Sequence, residues 1–92
     1  MIKARRFLLS GRVQGVGFRF FARDAACREG VTGFVRNLPD GRVQLEAEGE
    51  QDSLDRFERC LHEGPSTAQV ENIVVEEILQ GGRAESFRIK AD

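Results

Sequence analysis

Apolar and polar positions alternate at the start of the chain. Phe7, Leu9 and Val13 interleave with Leu8, Ser10 and Arg12, which predicts a strand over Ile2 to Val13. The period then lengthens. Phe18, Phe21, Ala22, Ala25 and Ala26 mark one face of a helix over Phe18 to Glu29, and Gly30 supplies its stop. Val31 to Asn37 returns to a strand pattern, with Val31, Gly33 and Val35 on one side. In Pro39-Asp40-Gly41, proline presets φ and glycine accepts a positive φ, so a turn is expected there. Arg42 to Glu48 is the clearest strand, with Val43, Leu45 and Ala47 inward, and Gly49 is expected to end it. Leu54, Phe57, Cys60 and Leu61 stand at helical spacing before Gly64-Pro65. Val70 to Leu79 is β-branched and strand-like, Gly81-Gly82 breaks it, and Phe87 with Ile89 forms a short last strand.

The order is β-α-β-β-α-β plus a terminal strand. Two helices of a dozen residues cannot cover both faces of such a sheet. Both are expected on one face of a mixed, antiparallel-type sheet, as a ferredoxin-like α+β two-layer sandwich. A right-handed crossover makes the first two strands parallel, with the third between them. Their ends then share one edge of the sheet. The glycine-rich run Gly11 to Arg19 leaves the first strand there, and Asn37 ends the second strand there with the parity of inward Val35. The topology therefore draws Arg19 and Asn37 together.

The run GRVQGVGFR joins a strand to a helix through Gly11, Gly15 and Gly17. Such a junction turns backbone N–H groups into a concavity at the positive end of a helix dipole, suited to phosphate or carboxylate. Arg19 and Arg23 put cations at that same end, a mildly unfavourable placement that a bound anion would offset. A guanidinium can also fork two phosphate oxygens. The plainer alternatives are a tight turn for the glycines and a solvated ion pair for Arg19. Asn37 reads either as a turn residue or as an amide whose carbonyl accepts a proton from water while its NH₂ donates elsewhere. Neither the Walker pattern nor the dinucleotide fingerprint is present, since Gly15-Val16-Gly17 leads to Phe20.

Composition narrows the chemistry. The 92 residues suit one domain, residues 1–92, and 40% hydrophobic with 32% charged residues suits a compact fold. Fourteen basic against fifteen acidic residues give a net charge of −1, without the basic excess of an electrostatic nucleic-acid binder. The apolar run Phe7-Leu8-Leu9 is too short for a signal peptide or membrane span, so a cytoplasmic location is expected. Cys27 and Cys60 are expected to be reduced packing residues. His62 is the one histidine and reads as an exposed helix-end residue. The acidic stretch Glu46, Glu48, Glu50 and Asp52 is explained by a strand and a helix start rather than by metal binding. With no metal cluster and no histidine base, the toolkit suits phosphoryl transfer from a carboxylate leaving group, whose parent acid has a pKa of roughly 4 and departs unprotonated.

GRVQGVGFR resembles, without a gap, the phosphate-binding signature of the acylphosphatases. GFVRNLPDGRVQLEAEG, Gly33 to Gly49, resembles their second signature, and Gly64-Pro65 followed by Val70 also fits. The resemblance implies the same sandwich fold and metal-independent, cofactor-free hydrolysis of acyl phosphates to a carboxylate and inorganic phosphate, which is also a competitive ligand. It implies that Arg19 binds the phosphoryl group and that Asn37 orients the attacking water. The backbone amides of Gln14, Gly15, Val16, Gly17, Phe18 and Arg19 cradle the phosphoryl group on the same grounds. The ending Phe87 to Asp92 departs from the aromatic finish common among relatives, which leaves a C-terminal contact with the site open. A monomer with no nucleic-acid or membrane partner is expected. Two other readings stand beside this one. The chain could be an acylphosphatase-like accessory module that binds carbamoyl phosphate or another anion for a partner protein. It could also be a ferredoxin-like RNA-binding module with Phe34 and Phe87 exposed on the open sheet face.

Overall fold

The strand and helix signals assemble into the order β1 (Ile2–Arg12), α1 (Phe18–Glu29), β2 (Thr32–Asn37), β3 (Val43–Glu50), α2 (Gln51–Glu63), β4 (Gln69–Ile78) and β5 (Phe87–Ile89). The computed structural model describes residues 1–81 and 84–91; the breaker glycine Gly82 and the last tail residue Asp92 lie outside the described residues. The five strands form one sheet in the order β4-β1-β3-β2-β5. β3 lies antiparallel to both β1 and β2, so β1 and β2 run parallel on either side of it. β4 pairs antiparallel with β1, and β5 pairs parallel with β2. This is the expected ferredoxin-like sandwich.

Period-2 alternation sends Phe7 and Leu9 of β1, Val35 of β2 and Val43, Leu45 and Ala47 of β3 to the helix-covered face, where all are buried. They meet Phe18, Ala22, Ala25 and Ala26 of α1 and Leu54, Phe57 and Leu61 of α2 in one cluster. Phe57 is its hub. Its ring meets Phe7 edge-on at 6.0 Å and Phe87 edge-on at 5.7 Å, the offset geometry aromatic quadrupoles favour. Arg5 locks β1 to α2 from the rim, with Asp55 at 2.9 Å and Glu58 at 3.3 Å. No helix among the described residues is long and apolar enough to cross a membrane.

Several boundaries and roles differ from expectation, each for a packing reason. Val31 is buried but lies in the link between α1 and β2, where its N–H bonds Ala26 O at 2.9 Å behind the left-handed Gly30 that caps the helix. Gly49 does not end β3. The strand runs on to Glu50, and the missing side chain instead makes room for Val31, which a Cβ would meet at 3.3 Å. Phe87 is not on the open face; it is 5% exposed and part of the core. Phe34 is half-buried with the Lys90 ammonium 4.1 Å above its ring. Cys60 packs against the core as expected, whereas Cys27 is exposed because it falls opposite the alanine stripe of α1. Leu79 lies beyond β4 and is almost fully exposed.

The open face is laid out in rows of cross-strand neighbours. One row runs Arg88, Phe34, Glu46, Arg6 and Glu76. Within it Arg6 binds Glu46 and Glu76, each at 3.1 Å, and these hydrogen bonds raise its pKa further above its ordinary value. On this face Arg6 is paired with carboxylates, Arg36 donates to the Gln44 amide and Lys90 lies over the Phe34 ring.

Candidate active site

The parallel relation of β1 and β2 brings the loop after Arg12 beside the turn after Asn37. A pocket of about 220 Å³ opens there, lined by Val13, Gly15, Gly17, Phe18, Arg19, Phe20 and Asn37. Arg19 and Asn37, 18 residues apart in sequence, therefore share one cavity. Among the described residues of the lining none is a carboxylate, histidine or cysteine. Among the described residues no group of three or more such side chains could hold a metal ion.

The loop owes its shape to two glycines. Gly15 and Gly17 take φ of 73° and 77°, in the left-handed region. Alternation of handedness along a loop turns successive N–H groups towards one concavity. Gly17 is also the N-cap of α1, and no side chain caps that helix. The first-turn N–H groups, which have no intrahelical partner, are therefore left facing the pocket end with the positive end of the dipole. A Cβ at Gly15 or Gly17 would meet nothing within 4 Å, so backbone conformation alone demands glycine. Gly15→Ala is accordingly expected to cost about 1–2 kcal/mol of folding stability through strain, without a clash; urea unfolding measures it. Gly11 has a different role from the other two. It sits in β1 at a register shift against β4, where a Cβ would run into Gln69 O and Glu71 N. Its bareness admits a neighbouring strand, not an anion.

Two side chains hold the loop from opposite flanks. Gln14 Nε2 donates to Leu38 O at 2.8 Å and to Arg42 O at 2.9 Å. Both carbonyls already accept backbone bonds, from Gly41 N at 3.1 Å and Leu38 N at 2.8 Å, so Gln14 fills their second lone pairs. On the other flank Thr67 Oγ1 donates to Val16 O at 2.8 Å. The Gln14 bonds tie the glycine loop to the hairpin that carries Asn37. Sequence reading counted Gln14 only for its backbone amide and missed Thr67, because neither partner carbonyl is visible in a linear pattern.

The hairpin itself is braced. Arg42 binds Asp40 Oδ2 through Nε at 2.7 Å and Nη2 at 2.6 Å, and its N–H reaches Oδ1 at 3.1 Å. The guanidinium hydrogen bond is the main cause holding the Asp40 carboxyl below its ordinary value, and the Arg42 N–H adds to it. A depressed carboxylate stabilises the fold above its unfolded pKa of about 4 and loses that contribution as pH falls through the lowered value. Acid therefore loosens this turn only below the ordinary carboxylate range. Arg36 is exposed and donates to Gln44 at 2.7 Å. Arg12 is exposed and does not line the pocket.

Arg19 is half-buried on the first turn of α1. Its Nη1 lies 3.4 Å from Lys90 O, and Lys90 N in turn donates to Val35 O at 2.9 Å. The C-terminal segment thus does reach the pocket, through a main-chain carbonyl that requires no aromatic ending. Asn37 is the last residue of β2, opposite Val43. Its Oδ1 is buried and accepts no hydrogen bond among the described residues. A buried acceptor without a donor is rare and costly, by about 1–3 kcal/mol. It is the sharpest chemical anomaly among the described residues, and it belongs to a residue that lines the same cavity as Arg19.

Fold and pocket together define a class: a small ferredoxin-like α+β sandwich with an anion-receptive cavity at the shared end of its parallel strands. Comparison with known proteins makes this specific. The acylphosphatase family model matches residues 5–89. An acylphosphatase of Rubrobacter xylanophilus is 50% identical over 88 residues, covering 96% of this chain and 80% of that protein. The structure of an acylphosphatase from Coxiella burnetii superposes with a TM-score of 0.91 at 39% identity, covering 97% of this chain and 93% of the other. That of acylphosphatase from Bacillus subtilis gives a TM-score of 0.88 at 37% identity, covering 98% and 99%. The chain belongs to the acylphosphatase family, and its activity is the hydrolysis of acyl phosphates.

Proposed function

We propose that the hydrolysis is a direct, metal-independent attack of one oriented water on a phosphoryl group held by Arg19 and by the amides of Gln14, Gly15, Val16, Gly17, Phe18 and Arg19. The observation that carries this reading is the shared lining of Arg19 and Asn37, whose buried Oδ1 is an acceptor without a donor among the described residues. Water supplies that donor. Its oxygen forms the new bond to phosphorus while the bond from phosphorus to the carboxyl oxygen breaks, and the carboxylate leaves with the electron pair. The water's protons end on phosphate and solvent. Because the leaving carboxylate needs no proton, the site needs no general acid. Charge spread over the phosphoryl oxygens needs fixed donors, which the guanidinium and the uncapped helix end supply.

The reading is tested with chelator-treated protein and benzoyl phosphate. Undiminished turnover in chelator is the expected result, and a requirement for added metal overturns it. Among the described residues lining the site none is a histidine, carboxylate or cysteine, the side chains that serve as general acids or bases near neutrality. Between about pH 6 and 9, kcat is therefore expected to show no bell attributable to a side chain.

The same reading makes the enzyme a cytoplasmic monomer with inorganic phosphate as product and competitive ligand, and without nucleic-acid or membrane partners. The outer edge strand β4 supports the monomer, since Glu71, Glu76 and Glu77 on one exposed strand oppose pairing with a second copy. Sedimentation at assay concentrations checks this.

A further inference from the structure

We propose that Phe20 forms a subsite for the acyl half of the substrate and biases the enzyme towards acyl phosphates with planar, apolar acyl groups. This rests on the acyl-phosphate reading above and names the substrate class that reading leaves open.

The helix buries Phe18, Ala22, Ala25 and Ala26, and Phe20 lies on the opposite side. It is 55% exposed yet lines the same cavity as Arg19 and Asn37. Helical side chains lean towards the N-terminus and cover the turn before their own Cα, so the Phe20 ring leans over the glycine loop rather than away from it. Arg23, one turn later, lies with its guanidinium carbon 5.3 Å from the ring centroid while its Nη2 sits 3.6 Å from Asp24. The cation–π contact covers one part of the ring and narrows its rotamers, leaving a positioned apolar surface at the rim.

The remaining lining divides by task. Arg19 and the loop amides suit the phosphoryl oxygens, Asn37 suits the water, and Val13 and Phe18 are 1% exposed and belong to the core. In an in-line displacement the leaving group departs opposite the attacking water, so the acyl group must project out of the cradle. Phe20 is the exposed apolar side chain of the lining that can meet it. An aromatic or conjugated acyl group stacks on such a ring, whereas a methyl group gains little.

The test is the ratio of kcat/KM for benzoyl phosphate to that for acetyl phosphate. In Phe20→Ala it is expected to fall about three- to tenfold, the size of an aromatic pair, and in Phe20→Tyr to be retained. The ring's exposure makes loss of folding an implausible source of the change, and a purely structural role would slow both substrates equally. An unchanged ratio in Phe20→Ala overturns the proposal. Calorimetry with benzoylphosphonate and acetylphosphonate measures the same selectivity in binding. Absence of turnover in the unaltered protein would defeat the functional reading, while a selectivity that Phe20→Ala abolishes in binding would leave the subsite standing. Equal binding of both phosphonates by both proteins would remove it.

Discussion

Arg19→Ala is expected to lower kcat/KM for acyl phosphates by at least ~10²–10³, the loss seen when a fixed donor to developing charge is removed from a preorganised site. Among the described residues the lining offers no second guanidinium to take its place; it otherwise consists of Val13, Gly15, Gly17, Phe18, Phe20 and Asn37. Inhibition by inorganic phosphate should weaken in parallel, because the guanidinium is assigned to ground state and transition state alike. Arg19→Lys keeps the charge without the planar fork, and most of the loss should remain. The main-chain carbonyl of Lys90, 3.4 Å from Nη1, helps aim the guanidinium, and an ammonium on a different stem would not sit in that contact. Steady-state kinetics beside a thermal melt separates this from unfolding. An Arg19→Ala protein that is folded and retains more than a tenth of the activity would refute the assignment.

Asn37→Ala is expected to lower kcat about 10²-fold, the scale on which misplacing a reactant by an ångström is felt, while the inhibition constant of phosphate shifts far less. The asymmetry follows from the proposed division of labour, in which the cradle binds the phosphoryl group and Asn37 handles only the water. Stability should hold to within about 1 kcal/mol, because deleting an acceptor that lacks a donor removes a cost along with the packing of a small amide. A parallel collapse of phosphate binding and turnover would show that Asn37 is part of the cradle instead.

These expectations depend on residues whose relation was partly readable along the chain. The helix over Phe18 to Glu29 matches its predicted span residue for residue, because an alanine stripe and a glycine stop are both local signals. Arg19 and Asn37 were drawn to the same sheet edge by the handedness of one crossover, a rule that requires no knowledge of contacts. The glycines were less transparent. Gly11, Gly15 and Gly17 look alike in the sequence, yet the last two hold the loop in left-handed backbone, while Gly11 admits the β4 backbone. Gly49 looks like a stop and is a packing gap for Val31. A glycine states only that a side chain is unwelcome, and the reason belongs to whatever neighbour the fold brings.

Alternation, helical period, turn chemistry and crossover handedness were sufficient to determine the sandwich, the parallel placement of β1 and β2 on either side of β3 and the two polar side chains at their ends. Each is set by interactions within a few residues or by a chiral rule. The tertiary structure alone decided what surrounds those side chains. It hung Gln14 from two hairpin carbonyls, buried the Asn37 oxygen without a donor among the described residues, brought the Lys90 carbonyl to Arg19 and stood Phe20 at the rim. Hydrogen-bond partners and burial depend on the full three-dimensional neighbourhood, and main-chain carbonyls leave no mark on the residue types that present them.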